Sequence, residues 1–231
     1  MNVLALDTTL GACSAAVARG DSAGAVINGQ FELREREHAE AIIPMIERAL
    51  SDAGVVYSDL NAIAVTTGPG SFTGVRVGVA TARGLALALD LPLISATSLE
   101  VMAHTALGEL GEPPDVLAVV VDARRAQVYM AVFDGVGEMQ SPPQAVSGEQ
   151  AFDLLPSGGR IVLAGGGAEL VRQSASLPDS LETALPDLQP DARTLARMAL
   201  GRTPSRDPLR PLYLRPPDAK PQSGKAIPRR G

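Results

Sequence analysis

The chain has no tryptophan, four phenylalanines and three tyrosines, so aromatics make up 3% of its 231 residues. Ala, Val, Leu and Gly must fill the core, which favours close backbone packing over aromatic wedges. One cysteine, Cys13, excludes an internal disulfide and any multi-cysteine metal site. It sits in the apolar run Ala12-Cys13-Ser14-Ala15-Ala16-Val17 with no base beside it, and it reads as a small buried hydrophobe. There are only two histidines, His38 and His104. The first residues read as strand, with no charged leader ahead of an apolar stretch, so no signal peptide is expected. No uninterrupted apolar run approaches about 18 residues, so no membrane span is expected and a reducing cytoplasm is the expected setting.

Both lysines, Lys220 and Lys225, lie near the C-terminus. Residues 201–231 carry eight Lys/Arg and two acids, a net +6, which leaves −12 on the first 200 residues. An acidic body is a poor binder of a phosphate backbone. A basic, Pro-rich tail from residue 216 either touches nucleic acid or an acidic surface, or is simply solvated.

The element order is legible from hydrophobic spacing. Residues 3–6, 12–18 and 24–33 read as three strands close enough for an antiparallel meander. Ile42, Ile43, Ile46, Ala49, Leu50 and Ala53 recur at helical spacing over 38–53, with Pro44 in the early turns and Gly54 as a stop. A strand at 62–66, a helix at 72–89, a strand at 91–94 and a helix at 98–107 complete a βββαβαβ(α) unit. A boundary is expected in the Gly/Pro-rich stretch 108–114. Beyond it, strands are expected at 116–121, 126–133 and 160–164, and a helix at 191–200. These give a first lobe at 1–108, a smaller α/β lobe at 109–215 and a basic tail at 216–231.

Chemistry-bearing patterns are few. Gly68, Gly70 and Gly74 lie between an apolar strand and a long helix. A helix start at such a turn offers N–H groups and a positive dipole end to an anion. The spacing is G-x-G-x-x-x-G, so this is not a dinucleotide fingerprint, and no Lys follows as a P-loop requires. Gly70-Ser71-Phe72-Thr73-Gly74 does not have the spacing of a nucleophile elbow. Gly74, Gly78, Ala82 and Ala86 recur every fourth residue, a small-residue stripe that lets another helix come close. That stripe either packs inside the chain against the 38–53 helix or forms an exposed face for another subunit.

The run Thr66-Thr67-Gly68-Pro69-Gly70-Ser71-Phe72-Thr73-Gly74-Val75-Arg76-Val77-Gly78, continued through Ala80-Thr81-Ala82-Arg83-Gly84 to Ser95-Ala96-Thr97-Ser98-Leu99, resembles the signature of the TsaB (YeaZ) family. That family supplies a non-catalytic partner in the synthesis of threonylcarbamoyladenosine on tRNA. Val121-Asp122-Ala123-Arg124-Arg125-Ala126-Gln127-Val128-Tyr129 and Pro211-Leu212-Tyr213-Leu214-Arg215 resemble landmarks of its second half. The resemblance spans about residues 1–215 and implies an α/β, two-lobed actin/sugar-kinase/Hsp70-like fold with a degenerate second lobe.

It also implies a heterodimer with the catalytic sister TsaD, docking of the ATPase TsaE, a homodimer in isolation and contact with tRNA only through the complex. The interface it points to comprises His38, Ile42, Ile43, Met45, Ile46 and Ala49 on the first helix, and Gly74, Arg76, Gly78, Ala82 and Arg83 on the second. Asp7-Thr8-Thr9 stands where kinase relatives carry a phosphate turn, Asp-x-Gly-x-Thr, but Thr9 replaces the glycine. Together with Gly68 and Gly70, and with Gly165-Gly166-Gly167 where those relatives contact adenosine, it reads as a vestigial phosphate and nucleotide turn. TsaD carries a His-x-x-x-His metal pair where this chain has Ser95-Ala96-Thr97-Ser98-Leu99-Glu100, so no metal is expected. No cofactor is expected on this chain alone, with ATP or ADP at the junction of the complex. His104 reads as a surface or partly buried residue, and His38 as a cap or interface contact. Two other classes compete: an active ATPase or small-molecule kinase working through Asp7, and a stand-alone tRNA-binding module using the tail.

Overall fold

A computed structural model describes residues 1–21, 23–174 and 181–215. The expected basic tail at 216–231 lies outside the described residues. The chain forms two five-stranded mixed sheets. In the first, β1 (Asn2–Asp7) runs antiparallel to β2 (Ala12–Arg19), and β2 antiparallel to β3 (Val26–Leu33). On its other side β1 is parallel to β4 (Ala62–Thr66), which is parallel to β5 (Leu93–Ala96), giving the order β3-β2-β1-β4-β5.

The second sheet repeats this plan. β6 (Val116–Asp122), β7 (Gln127–Asp134) and β8 (Met139–Ser147) form the meander, and β9 (Ile161–Ala164) and β10 (Leu181–Ala184) add in parallel beside β6. The mirrored orders make this the two-lobed actin/sugar-kinase/Hsp70-like architecture. The duplication is legible in backbone details too. β1 and β6 both end on an aspartate, Asp7 and Asp122, whose Oδ1 accepts from the N–H two residues on. Gly68 and Gly165, just after β4 and β9, have φ of 104° and 106°.

Both faces of the first sheet are covered, so its inner strands are near-continuous apolar runs. Leu4 and Leu6 of β1, with Ile63 and Val65 of β4, pack against α1 (His38–Ala53) and α2 (Phe72–Leu89). Val3, Ala5 and Ala64 face the other way, onto α6 (Ala192–Ala199). α3 (Ser98–Glu109) lies between the lobes. Its Val101 joins the first sheet's cluster, while Leu99, Met102, Ala103 and Ala106 pack on Leu117, Val119 and Phe133 of the second. Among the described residues, the helices on the outer face of the second sheet are α4 (Gly148–Asp153) and α5 (Ala168–Gln173), six residues each against sixteen and eighteen for α1 and α2. That contrast is the physical content of a degenerate second lobe.

Several sequence expectations need correction. The boundary at 108/109 falls inside α3, and α6 with the segment after it packs on the first sheet, so residues 109–215 are not one lobe. A helix following the second sheet is taken up by the first because the small side chains of Ala192, Ala196 and Ala199 fit flush on Val3 and Ala5. The fifth strand begins at Leu93 rather than 91. Asp90 closes α2 in the left-handed conformation, Leu91 N–H still bonds back to Ala86, and Pro92 has no N–H to give. β8, α4, α5 and β10 were not anticipated. β8 contains Pro142 and Pro143, which a strand tolerates only at an edge, and β8 is an edge.

The small-residue stripe is also corrected. Gly74, Gly78 and Ala82 are buried within the chain. A Cβ on Gly74 would lie 2.1 Å from the Thr8 carbonyl oxygen, and one on Gly78 2.7 Å from Thr8 Oγ1. Gly74 and Gly78 let α2 lie against the end of β1, while Ala82 and Ala86, further along the same stripe, join the core cluster that α1 also lines, so the stripe packs inside the chain. Gly74→Ala is therefore expected to lower the melting temperature sharply, with a loss of about 2–4 kcal/mol. Gly84→Ala, on the open side of the same helix with nothing within 4 Å, is expected to raise stability by about 0.5–1 kcal/mol. Thermal melts of both variants check the assignment, and equal effects would refute it.

Candidate functional site: the first turn, the α2 face and the interlobe cleft

The turn after β1 is closed by its own side chains. Asp7 is fully buried. Its Oδ1 accepts from Thr9 N–H at 3.2 Å, and its Oδ2 accepts from Thr9 Oγ1 at 2.8 Å and from the Thr66 hydroxyl. Thr8 Oγ1 donates to the Gly74 carbonyl at 2.7 Å, and Ser71 N–H donates to the Thr9 carbonyl at 2.8 Å. Ser71 caps α2 by accepting from Gly74 N–H at 3.0 Å. A Cβ on Gly70 would meet the Thr9 oxygen at 2.3 Å. The N-terminus of α2 packs directly on this turn, and the expectation of N–H groups waiting there for an anion fails at Ser71 and Gly74. Asp7 does not reach the solvent.

Burial pushes the Asp7 carboxyl up from 3.8 to about 6, outweighing the hydrogen bonds from Thr66 and Thr9 that favour the ionised form. Burial likewise pushes the Cys13 thiol up to about 12, which removes it as a nucleophile. Among the described residues, no group of three or more His, Cys, Asp or Glu side chains converges. His38 is buried at the start of α1, with Nε2 3.1 Å from the Leu10 carbonyl, a local tie between α1 and the β1–β2 turn. His104 is exposed on α3 beside the β7–β8 turn, close to Gly137, and its partial desolvation lowers its pKa.

Of the residues expected at a partner face, His38, Ile42, Met45, Ile46, Ala49, Gly74, Gly78 and Ala82 are buried in the chain itself. They hold the two helices on the sheet and are corrected as surface positions. Ile43, Arg76 and Arg83 remain outward. The outward face they belong to comprises Ile43 and Pro44 on α1, and Arg76, Ala80, Arg83, Gly84, Leu87 and Ala88 on α2. Leu87 is 87% exposed. By length and composition alone α2 is apolar enough to cross a membrane, yet its small side is packed on β1 and only 33% of it is buried.

A cleft of about 550 Å³ opens between the lobes beside the start of α2. It brings together three stretches far apart in sequence: Pro69 to Phe72, Val121 to Arg125, and Leu212 to Arg215, with Gly166 and Gln189 on its walls. Gly165 turns back against the Val120 carbonyl, leaving Gly166 as the exposed member of that turn. Gln189 Oε1 accepts from Gly11 N–H at 2.8 Å across the junction. Asp122 and Arg124 pair at 3.7 Å on the surface, worth about 0–1 kcal/mol. At the cleft mouth Phe72, Arg76 and Tyr213 stack. The sequence marked 211–215 only by resemblance; its contacts with α2 and lobe two carry no periodic signal.

Asp7→Asn is expected to separate the proton from the packing. The folded chain holds the Asp7 proton more tightly than the unfolded chain, so stability from this group is full below about pH 4 and falls as pH rises through about 6. The melting temperature of the Asn variant should gain on the parent between pH 4.5 and 7.5, by no more than about 3 kcal/mol in stability. A gap that does not change with pH would refute the assignment.

A family model described as TsaD, tRNA N6-adenosine threonylcarbamoyltransferase, matches residues 31–163, more than half of the chain. The tRNA threonylcarbamoyladenosine biosynthesis protein TsaB of Escherichia coli is 34% identical over 227 residues, covering 93% of this chain and 95% of that one. The Haemophilus influenzae protein of the same name is 43% identical over 132 residues, 57% of this chain and 53% of its own. The solved structure of YeaZ from Pseudomonas aeruginosa superposes with a TM-score of 0.78 at 30% identity, covering 92% of this chain and 99% of that one. On full-length identity and on fold together, the chain belongs to the TsaB (YeaZ) family of tRNA threonylcarbamoyladenosine biosynthesis proteins, within the TsaD-related group.

Proposed function

We propose that this chain is a non-catalytic subunit that binds and positions a TsaD-type threonylcarbamoyltransferase acting on tRNA in the cytoplasm. The observation that carries this reading is the outward side of α2. An 18-residue helix with two charges, Arg76 and Arg83, presents Ala80, Gly84, Leu87 and Ala88 to solvent. Exposed apolar surface next to a second helix end marks a contact surface. The small residues there also allow a second helix to approach closely. A TsaD relative built on the same lobe plan would bring a comparable helix pair, and a second copy of this chain would use the same face when TsaD is absent. TsaE would join the assembled pair, tRNA would be reached through it, and ATP or ADP belongs at the junction of the subunits.

The absence of bond chemistry in this subunit is supported by Asp7. A general base or magnesium ligand needs to reach its substrate, and this carboxylate is sealed under Thr9, Thr66 and the start of α2. The alternative of an ATPase or small kinase would require that turn to open. The alternative of a tRNA-binding module rests on the tail, which lies outside the described residues.

Leu87→Glu and Ala80→Arg, both at exposed positions, are expected to abolish co-elution with TsaD, weakening binding at least tenfold (about 1.4 kcal/mol), while the melting temperature stays within a few degrees. Ile46 and Gly78 are unsuitable probes because both are buried. Undiminished co-elution of both variants would overturn the chosen face. Magnesium-dependent ATP turnover by the purified chain, abolished in Asp7→Ala, would overturn the non-catalytic reading.

A further inference from the structure

Residues 203–215 leave α6 and cross the molecule as a strap. Ser205 and Leu93 exchange two backbone hydrogen bonds of 2.8 Å, so the strap first extends the sheet beyond β5. Arg206 holds the Asp90 carboxylate at 2.7 Å at the end of α2. Leu212 N–H donates to the Thr67 carbonyl at 2.7 Å. The strap passes so near Gly68 that a Cβ there would lie 2.9 Å from the Leu212 oxygen. Tyr213 then meets the start of α2. Its ring centroid is 5.3 Å from that of Phe72, and its hydroxyl accepts from Arg76 Nε at 3.0 Å. The Arg76 guanidinium lies 3.6 Å over the Phe72 ring. The strap ends on the other lobe, where Arg215 donates to the Ala123 carbonyl.

Ala123 opens the β6–β7 turn, and that turn is strained. Arg124, Arg125 and Ala126 are consecutive left-handed residues, with φ of 66°, 56° and 55°. Residues with a Cβ adopt this conformation at a cost and keep it only where the surroundings impose it. Arg215 on the Ala123 carbonyl is one such restraint from outside the hairpin. We infer that the strap is a latch: the Phe72–Arg76–Tyr213 stack on α2 holds residues 211–215 in place, and through Arg215 it holds the strained β6–β7 turn at the mouth of the interlobe cleft. Arg76 serves both surfaces. It stands on the outward side of α2 and is also the donor that fixes Tyr213. An acidic group on a partner covering α2 competes with Tyr213 for that guanidinium, so occupancy of the helix face is transmitted to the cleft 47 residues further along the chain from Arg76 to Ala123. This last link rests on the partner reading above; the latch itself does not.

Amide hydrogen exchange on the full chain, without any partner, tests the latch. Arg215→Ala is expected to speed exchange across 123–127 at least tenfold, with β1 and β4 unchanged. Arg76→Ala, at a side chain whose partners among the described residues are Phe72 and Tyr213, is expected to do the same. Should its core exchange also rise, Tyr213→Phe carries the test, because it keeps the ring on Phe72 and removes only the acceptor. Acceleration in Arg215→Ala alone would overturn the coupling through Arg76, and no acceleration in either would overturn the latch. Neither outcome touches the partner reading, which stands or falls on co-elution of the Leu87→Glu and Ala80→Arg variants.

Discussion

The contact between the turn after β1 and the first turn of α2 is the constraint on which the rest of the first lobe depends. Thr8 and Thr9 each bind α2 backbone, through Thr8 Oγ1 to Gly74 and Ser71 N–H to Thr9, while Asp7 ties the turn to Thr66 at the end of β4. Glycine at 70 and 74 allows backbone to lie on backbone at that point. Helix, turn and two strands are locked in one knot. Because the knot is filled by protein, Asp7 at its centre has no path to the solvent.

The same knot explains why the outward side of α2 is available. The small residues go down onto β1, so the helix lies low on the sheet and its other side carries Arg76, Ala80, Arg83, Gly84 and Leu87. With Ile43 and Pro44 of α1, this is a shallow surface of short side chains with two fixed positive charges. Burial there would stabilise association by about 25 cal/mol per Å² of apolar area, before the cost of docking. A face of this kind suits a broad contact with a shape-matched neighbour better than a pocket for a small molecule.

The second lobe gives up helices and gains connections. With the short α4 and α5 on its outer face among the described residues, it leans on the first lobe through α3, through Gln189 on Gly11, and through the strap that reaches Ala123. Chain connectivity runs first lobe, second lobe, first lobe, and then touches the second again. The three stretches that carry the family resemblance meet at the cleft this path creates.

Much of the fold was legible in the residues. The bounds of α1, β4 and α2 follow from apolar spacing and, for α1, from the Gly54 stop, which are local signals. The doubled plan was legible only in part, in the strands at 116–121, 126–133 and 160–164 but not in β8, α4, α5 or β10, and Cys13 was legible as a core residue from its apolar run. What the sequence could not determine was which way the Gly74-Gly78-Ala82 stripe faces. Small side chains at helical spacing mark a close approach, but they do not say whether a strand, a helix or a partner makes it. Only the tertiary structure decided that, by bringing Thr8 within reach of Gly74 and Gly78. It also decided that α6 returns to the first sheet and that Arg215 reaches Ala123, because contacts between residues 92 positions apart leave no periodic trace in either segment.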